Sequence, residues 1–571
     1  MSERILVCVA WPYANGSLHL GQIAGAYLPP DIFARYHRTR GNEVVMVSGS
    51  DAHGTPTTIK AEQEGKTPRE VADFYQQEFL DNWDRLGISF DLYTTTDTDN
   101  HTQVAQDVFL ELLKKGYLER KTVSQAYCPR CQRFRPDRYV EGTCPYCGSV
   151  YARGDQCEAC GKPLDPQDLV GPRCRTCGTD IQFRDSEQFF LRLPVFQDRL
   201  LAWVRQQTHW RQNVLNFTTR FLEEGLIDRA ITRDIDWGVP VPVDGFEEKR
   251  IYVWFEAVIG YLSATKEWAS LQGDPEKWRR FWQEDARSYY FIGKDNIVFH
   301  TIIWPAMLMG YGGLDLPYDV PANEFLTIEG RKLSTSQNWA VWLPDYLSRY
   351  DPDPLRYMLS INMPETADTD FSWREFVRRN NDELVATYGN LAHRVLTITY
   401  RHFDGSIPSH SRCDAIREYL GDSDSPGNHG LDPLDAHILG GMKGLFREMD
   451  LHLSQCHFKQ AIMKAMSIAR EANQYLDEKS PWKTIRENRQ AAADALYVAL
   501  CVVSCLRTAF YPFLPFSSQK LHRMLGYQGK VEEYGWKTGA PEPGQRLERP
   551  EPLFTKLDES LIEEETSRLG I

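Results

Sequence analysis

No stretch of this sequence approaches the roughly 20 apolar residues that a membrane-spanning helix requires, so no membrane association is expected. Nor does it open on the apolar core of a secretory signal, because Met1-Ser2-Glu3-Arg4 runs straight into a buried-strand pattern, Ile5-Leu6-Val7-Cys8-Val9. It has no surplus of positive charge: 65 Lys and Arg stand against 79 Asp and Glu, a formal net charge of -14. That excludes a protein coated in cations for indiscriminate binding of polyanions, and any nucleic acid has to be gripped by local patches. Low-complexity tracts are missing, and apart from a set of cysteine pairs there is no internal repeat. The expectation is a cytoplasmic protein whose 571 residues divide into several domains, each burying its own core.

What the chain does have is paired cysteine. Eight of its 13 cysteines form four Cys-x-x-Cys pairs in one stretch: Cys128/Cys131, Cys144/Cys147, Cys157/Cys160 and Cys174/Cys177. Pro129, Pro145, Gly148 and Gly178 stand nearby and let backbone N–H groups turn towards thiolates. Four pairs supply two tetrahedral zinc sites of four thiolates each, with no position left open for water or substrate, so the expected role is structural. A disulfide cluster is the alternative, and the missing secretory signal counts against it. By spacing alone, sequential pairing is the simpler arrangement. Cys8, Cys413, Cys456, Cys501 and Cys505 read as ordinary thiols, mostly in the core.

Chemistry enters near the N-terminus. Residues 4–9 and 43–47 read as two buried strands flanking a helix, which starts after the turn cluster Ala14-Asn15-Gly16-Ser17 and carries Ile23, Ala24 and Tyr27 on its apolar face. Pro29-Pro30 should kink that helix before it resumes through Ile32-Phe33 and stops at Gly41. In such a β-α-β unit the helix start offers free N–H groups and a partial positive charge. His19 and Gly21, within His19-Leu20-Gly21-Gln22, suit nucleotide phosphates there: glycine permits close approach and imidazole donates a hydrogen bond. A histidine near a helix start in any α/β protein is the plainer reading of His19 alone. Just over three hundred residues later comes Lys332-Leu333-Ser334-Thr335-Ser336, preceded by Glu329-Gly330-Arg331.

In this order and at this spacing the two segments resemble the His-Ile-Gly-His and KMSKS signatures of class I aminoacyl-tRNA synthetases. More specific segments resemble methionyl-tRNA synthetases: Ala10-Trp11-Pro12-Tyr13-Ala14-Asn15-Gly16, Ser50-Asp51-Ala52-His53-Gly54-Thr55-Pro56, Tyr252-Val253-Trp254 to Tyr261, and Phe291-Ile292-Gly293-Lys294-Asp295 through His300 to Trp304. The resemblance runs nearly end to end, and the cysteine pairs match the two-zinc form of that family's connective insertion. It implies an α/β, Rossmann-type nucleotide-binding catalytic domain split between residues 1–117 and 231–320 by a zinc-knuckle insertion at 118–230. A stem-contact region with the KMSKS-like loop at 321–373 follows, then an α-helical anticodon-binding bundle and tail at 374–571. In the family's arrangement the knuckles nest: Cys144, Cys147, Cys157 and Cys160 on one zinc, and Cys128, Cys131, Cys174 and Cys177 on the other.

The implied activity is that of a methionine–tRNA ligase. The carboxylate of L-methionine attacks the α-phosphate of ATP, Mg2+ balances phosphate charge, and the methionyl group passes to the 3′ end of initiator and elongator tRNA(Met). By resemblance Ala10, Trp11, Tyr13, Trp254, Ala257, Tyr261, Phe299, His300 and Trp304 form or support the methionine pocket, whose aromatic walls suit a polarizable thioether. The Tyr13 hydroxyl and a His300 nitrogen are expected to donate to its sulfur, and Asp51 to receive its ammonium. His19, Gly21 and Gln22 face the triphosphate from one side, Lys332 and Thr335 on a mobile loop from the other, and Gly293 and Asp295 hold the ribose hydroxyls. The chain departs from the family pattern at Gln22 and Thr335, where His and Lys are expected, and at Trp11 and Val258, where Leu and Pro are expected. Threonine cannot replace a cation, and one lost phosphate contact costs about 10²-fold or more in rate; Arg331 beside Lys332 is the candidate substitute.

Beyond Trp373 the pattern turns helical, over 376–401, 435–453, 458–476 and 491–510, with a polar surface loop expected at 405–433. Asn390 and Arg394 lie one helical turn apart and share a face, and Trp482 follows Ser480-Pro481. By resemblance these three read the anticodon, the first two by hydrogen bonds to an unpaired base and Trp482 by stacking. Residues 552–558 resemble the peptide that closes the family's core; only thirteen residues follow, so a further dimerisation domain has no room and a monomer is expected. A synthetase for Leu, Ile or Val would carry a larger insertion, and a ligase of the cysteinyl branch would lack the bundle. The alternative from another class is a synthetase-like tRNA-binding or regulatory paralogue with impaired adenylation, favoured by Gln22 and Thr335 alone.

Overall fold

A computed structural model of the chain describes residues 2–154, 157, 159–160, 162, 164–421 and 430–571. The first apolar run forms strand β1 (Arg4–Val9), fully buried from Ile5 onward, and β2 (Glu43–Ser50) and β3 (Leu92–Thr95) pair with it in parallel succession. Uninterrupted apolar runs suit a sheet covered on both faces. Between β1 and β2 the chain makes a helical turn (Leu20–Gln22), a π-helical stretch (Ile23–Tyr27) and then helix α1 (Leu28–Thr39). The kink expected at Pro29-Pro30 is replaced by a widened turn just before it. The prolines sit in the first turn of α1, and the Leu28 N–H reaches back five residues to the Ile23 carbonyl.

The sheet is completed far along the chain by β4 (Arg287–Gly293) and β5 (Ala322–Asn323), all strands parallel, in the order β5-β4-β1-β2-β3. Strand order reverses between β1 and β4, where Val9 lies beside Phe291. In open α/β sheets ligands bind beyond the strand C-termini at such a switch point. Here those ends run into Ala10-Trp11 and Lys294-Asp295. Helix α2 (Val253–Leu271) packs on β2 and β3 and carries one side of the same crevice.

Between β3 and β4 the chain leaves the sheet. Leu118–Cys128 and Gln182–Leu191 form a long antiparallel ribbon, with Leu118 opposite Leu191 and Tyr127 opposite Gln182. Beyond its tip, three short strands (Val140–Thr143, Ala152–Arg153 and Val170–Cys174) enclose a small separate core that includes Val140, Ala152 and Leu169.

After β5, Leu326–Ile328 and Arg331–Lys332 make a two-residue hairpin. Its turn residues Glu329 and Gly330 both have positive φ, 49° and 72°, which is the requirement of a type I′ turn. Pro352–Ile361 starts on proline as expected, and the bundle follows in Trp373–Arg379, Asn390–His402, Pro433–Ser454, Phe458–Lys479 and Arg489–Phe510. The segment 405–433, expected as a loop, contains the helix Cys413–Gly421, which buries Ile416 and Leu420 one turn apart; 422–429 lie outside the described residues. The expectation that nothing approaches membrane-spanning length is also corrected. Arg489–Phe510 is long and apolar enough by composition, and it is the sheathed central helix of the bundle, buried at every residue from 495 to 510. One continuous core joins the sheet to the bundle, and within it Arg356 and Asp31, both fully buried, pair at 2.6 Å.

Candidate active site

The two motifs read from the sequence meet at the switch point. His19 leads into the first helical turn in extended conformation (φ -121°), and its backbone N–H donates to Gln22 Oε1 at 3.0 Å. Gln22 therefore turns its carbonyl end back to brace the helix start, and only its amide end is left to face outward. Burial pushes the His19 imidazole down to about 4, so it is neutral at pH 7, and its Nδ1 has no hydrogen-bond partner among the described residues. Leu333 packs where a β-carbon on Gly21 would stand, and the His19 ring lies 3.1 Å from the same point. Two backbone bonds close the seam, Leu20 N to Val341 O at 3.1 Å and Leu343 N to Leu18 O at 2.7 Å.

Lys332 and Thr335 are exposed, Lys332 Nζ standing 5.6 Å from the Phe325 ring centroid and Thr335 opening a 3-10 turn. Arg331, the nearest candidate for the charge that Thr335 lacks, stacks over Trp339 at 3.9 Å. Three residues that the sequence did not single out hold this loop. Asn338 Oδ1 accepts from Trp342 Nε1 at 2.7 Å, its carbonyl accepts from Gly570 N at 3.0 Å, and the Trp342 ring meets His19 edge-on.

The aromatic pocket residues come from two helical segments. Trp254, Ala257 and Tyr261 recur at helical spacing on α2, and Phe299, His300 and Trp304 on a second π-helical stretch (Phe299–Ile303) and the helix after it. Phe299 meets Trp254 edge-on with centroids 4.6 Å apart, and Trp254 Nε1 donates to Tyr13 Oη. His300 Nδ1 lies 2.9 Å from the Asn296 carbonyl, which can only accept, so Nδ1 carries the proton. Burial lowers its pKa to about 4, and the neutral ring then accepts from Tyr261 Oη through Nε2 at 2.7 Å. His300 thus has no N–H left for a thioether, contrary to expectation; both ring nitrogens are engaged, by Tyr261 and by the Asn296 carbonyl. Trp304 is buried behind the wall, with Nε1 3.1 Å from Tyr290 Oη. Trp11 has its indole against Gly49 and Gly260, where any β-carbon would collide with it, so two glycines make room for the larger side chain. Ala10 N bonds to Phe291 O at 3.1 Å, Asp51 is 3% exposed at the end of β2, Gly293 has open space where a β-carbon would point, and Asp295 is exposed.

The eight paired cysteines gather into two groups, Cys128/Cys131/Cys174/Cys177 and Cys144/Cys147/Cys157/Cys160, so the pairing is nested and not sequential. Sulfur separations are 3.4–3.9 Å in the first group and 3.6–3.9 Å in the second. Four thiolates bonded to zinc at about 2.3 Å stand about 3.8 Å apart, so both groups fit that ion. None of the eight is in a disulfide. Arg135 donates to Cys131 Sγ at 2.9 Å, a counter-charge for thiolates.

Comparison with known proteins now decides the family. Residues 5–396 match the family described as tRNA synthetases class I (M), and 426–570 match the anticodon binding domain of methionyl tRNA ligase. The chain is 58% identical over 571 residues to a methionine–tRNA ligase of Dehalococcoides mccartyi, covering all of both chains. This chain belongs to the methionyl-tRNA synthetase family. It is also 52% identical to the methionine–tRNA ligase of Thermomicrobium roseum, over 100% of this chain and 99% of that one. Among solved structures, the methionyl-tRNA synthetase of Mycobacterium tuberculosis in complex with methionyl-adenylate superposes with a TM-score of 0.78 at 25% identity, over 97% of this chain and 100% of that one.

On the synthetase's helical bundle the structure also brings the three anticodon candidates together. The Arg394 guanidinium lies 4.8 Å over the Trp482 ring and bonds Asp477 at 2.9 Å, and Asn390 is exposed one turn away on the same helix.

Proposed function

We propose that this chain activates L-methionine with ATP to methionyl-adenylate and transfers the methionyl group to the 3′ end of initiator and elongator tRNA(Met). The observation that carries the reading is the closure of the Leu333 segment on Gly21 at the β1/β4 switch point, with Tyr13, Trp254 and Phe299 in mutual contact as one aromatic group. Asp51 binds the substrate ammonium, and Tyr13, Trp254, Ala257, Tyr261 and Phe299 enclose its side chain, Trp11 taking part of the volume. Gly293 and Asp295 receive the ribose. Neutral His19 donates to the phosphates beside the close approach at Gly21, Gln22 holds the turn, and Lys332 with Arg331 brings charge from the loop side. Catalysis of this step is positioning plus electrostatic stabilisation, with no covalent intermediate on the protein. Mg2+ bound with ATP neutralises phosphate charge.

In this reading residues 1–117 and 231–320 are the catalytic domain, 118–230 the insertion, 321–373 the stem-contact region and 374–571 the anticodon bundle with its tail. Each nested four-cysteine group holds one structural zinc. Asn390, Arg394 and Trp482 read an anticodon base, and the enzyme works as a cytoplasmic monomer. The test is charging of a methionine tRNA transcript with labelled methionine, beside a transcript whose CAU anticodon is altered. Charging of the first and loss with the second support the proposal; no charging of either by folded, zinc-replete protein refutes it and favours the regulatory paralogue.

A further inference from the structure

Behind the ammonium carboxylate lies an ionic set, buried at His53 and Glu256 and reaching the surface at Arg69, that the reaction scheme does not use. His53, two residues after Asp51, is 4% exposed, and its Nδ1 lies 2.7 Å from Oε1 of Glu256, which is fully buried on α2. On its other side Nε2 stands 3.9 Å from Asp97, just beyond β3, and Asp97 pairs at 2.9 Å with Arg69 from the helix Pro68–Leu86. Trp237 caps the ring edge-on at 5.2 Å while donating to the Ala52 carbonyl at 2.8 Å. His101, from the helix Asp99–Lys114, is held neutral by burial, so it adds no charge.

With Asp51 ionised, the state an ammonium would favour, charge in this set balances only with a cationic guest. Asp51, Glu256 and Asp97 then bring three negative charges against two positive ones from His53 and the more exposed Arg69, an excess of one. Asp51 Oδ1 and Glu256 Oε2 are buried without a hydrogen-bond partner among the described residues. Burial works against the His53 charge, but Glu256, with Asp97 and Asp51, outweighs it and raises its pKa to about 10. Burial, reinforced by Glu256, pushes Asp51 well above the usual carboxylate range. An arriving ammonium would make ionised Asp51 the favourable state.

The pair also has a geometric role. Glu256 neighbours Ala257 on the helix that carries Trp254 and Tyr261, so the bond ties the segment holding Asp51 to the helix holding the apolar wall. We propose that the His53–Glu256 ion pair is a positioning device for the amino-acid substrate: it fixes the spacing between ammonium site and side-chain wall, and because the pair is itself neutral the charge of an ionised Asp51 is left for the substrate ammonium to neutralise. The proposal rests on the reading of Asp51 as the ammonium carboxylate.

The test is a double-mutant cycle of His53→Gln and Glu256→Gln, with Asp51→Asn alongside, reading KM for methionine, KM for ATP and kcat in ATP–pyrophosphate exchange from pH 6.5 to 9. Each single change should raise methionine KM by about 10-fold or more, a misplacement-sized effect, with ATP KM moving less than about 2-fold. The His53→Gln defect should shrink as pH rises, because loss of the cation makes Asp51 harder to ionise. The double variant restores the excess of one negative charge and should bind methionine better than either single variant. Zinc content and thermal melting confirm that the variants fold, and should one single variant fail to fold, the double variant against the other single still decides. A double variant no better than its singles, or with both KM values shifted together at every pH, overturns the proposal. If Asp51→Asn leaves methionine KM unchanged, it is the reading of Asp51 that fails.

Discussion

Leu333 fills the space that a β-carbon on Gly21 would need, so the loop of the second signature rests directly on the helix start of the first. Glycine is required there by the close approach of a neighbour, since a methyl group would also crowd the His19 ring. Gly21→Ala should lower kcat for ATP–pyrophosphate exchange by about 10-fold or more. Adding Leu333→Ala should recover part of the loss. A Gly21→Ala enzyme with full activity would remove the contact from the mechanism.

The nested cysteine groups predict how metal is lost. Cys128→Ser, Cys174→Ser and the double variant should each retain one zinc per chain by metal analysis, since both residues belong to one group. If the double variant loses more zinc than either single, the grouping does not describe the metal sites.

Trp482 lies under Arg394 and far along the chain from the catalytic segments. Base stacking on an aromatic is worth about 1–3 kcal/mol, so Trp482→Ala should lower kcat/KM for tRNA charging by roughly 5- to 150-fold. Methionine-dependent exchange, which needs no tRNA, should be unaffected. Equal damage to both would place Trp482 in the core.

Acid stability is expected to depend on Asp31. Burial works against its carboxylate, but Arg35 at 2.9 Å and Arg356 at 2.6 Å outweigh burial and hold its pKa at about 2. Burial lowers Arg356 too, but from so high a value that it stays charged. A depressed carboxylate contributes stability above its unfolded pKa, near 4, and loses it as pH falls towards 2; the contribution is of order 2 kcal/mol. Asp31→Asn, which leaves Arg356 buried without its carboxylate, should destabilise by about 3–5 kcal/mol at neutral pH. Urea unfolding of both proteins between pH 7 and 3 measures this, and wild-type and variant curves should converge on acidification. Parallel curves would mean that Asp31 is not the titrating group.

How much the sequence revealed depended on whether a property was local. The strands read at 4–9 and 43–47, the proline-led helix from 352 and the last three bundle helices were legible, because apolar periodicity is written in consecutive positions. By contrast 376–401, read as one helix, is Trp373–Arg379 and Asn390–His402 with a π-helical stretch between them. The helix 413–421 was missed because only Ile416 and Leu420 mark its buried face amid charged neighbours. Spacing could not distinguish nested from sequential cysteine pairing, because the fold between the pairs sets which sulfurs meet; the family resemblance supplied that answer. Gln22 reads as a phosphate donor in sequence, whereas its carbonyl braces His19. His300 reads as a donor to sulfur until Asn296 and Tyr261 are seen to occupy both ring nitrogens. The His53–Glu256 pair was invisible for the same reason: 203 residues separate its members, and burial, which makes the pair matter, is a property of the fold.

Whether this chain forms methionyl-adenylate is read from methionine-dependent ATP–pyrophosphate exchange by the purified, zinc-replete protein, with leucine, isoleucine and cysteine run in parallel. Exchange with methionine alone is the predicted result, and it would show that Lys332 and Arg331 suffice where Thr335 supplies no cation. Absence of exchange with every amino acid, from protein shown to be folded, would mean that the chain does not activate methionine.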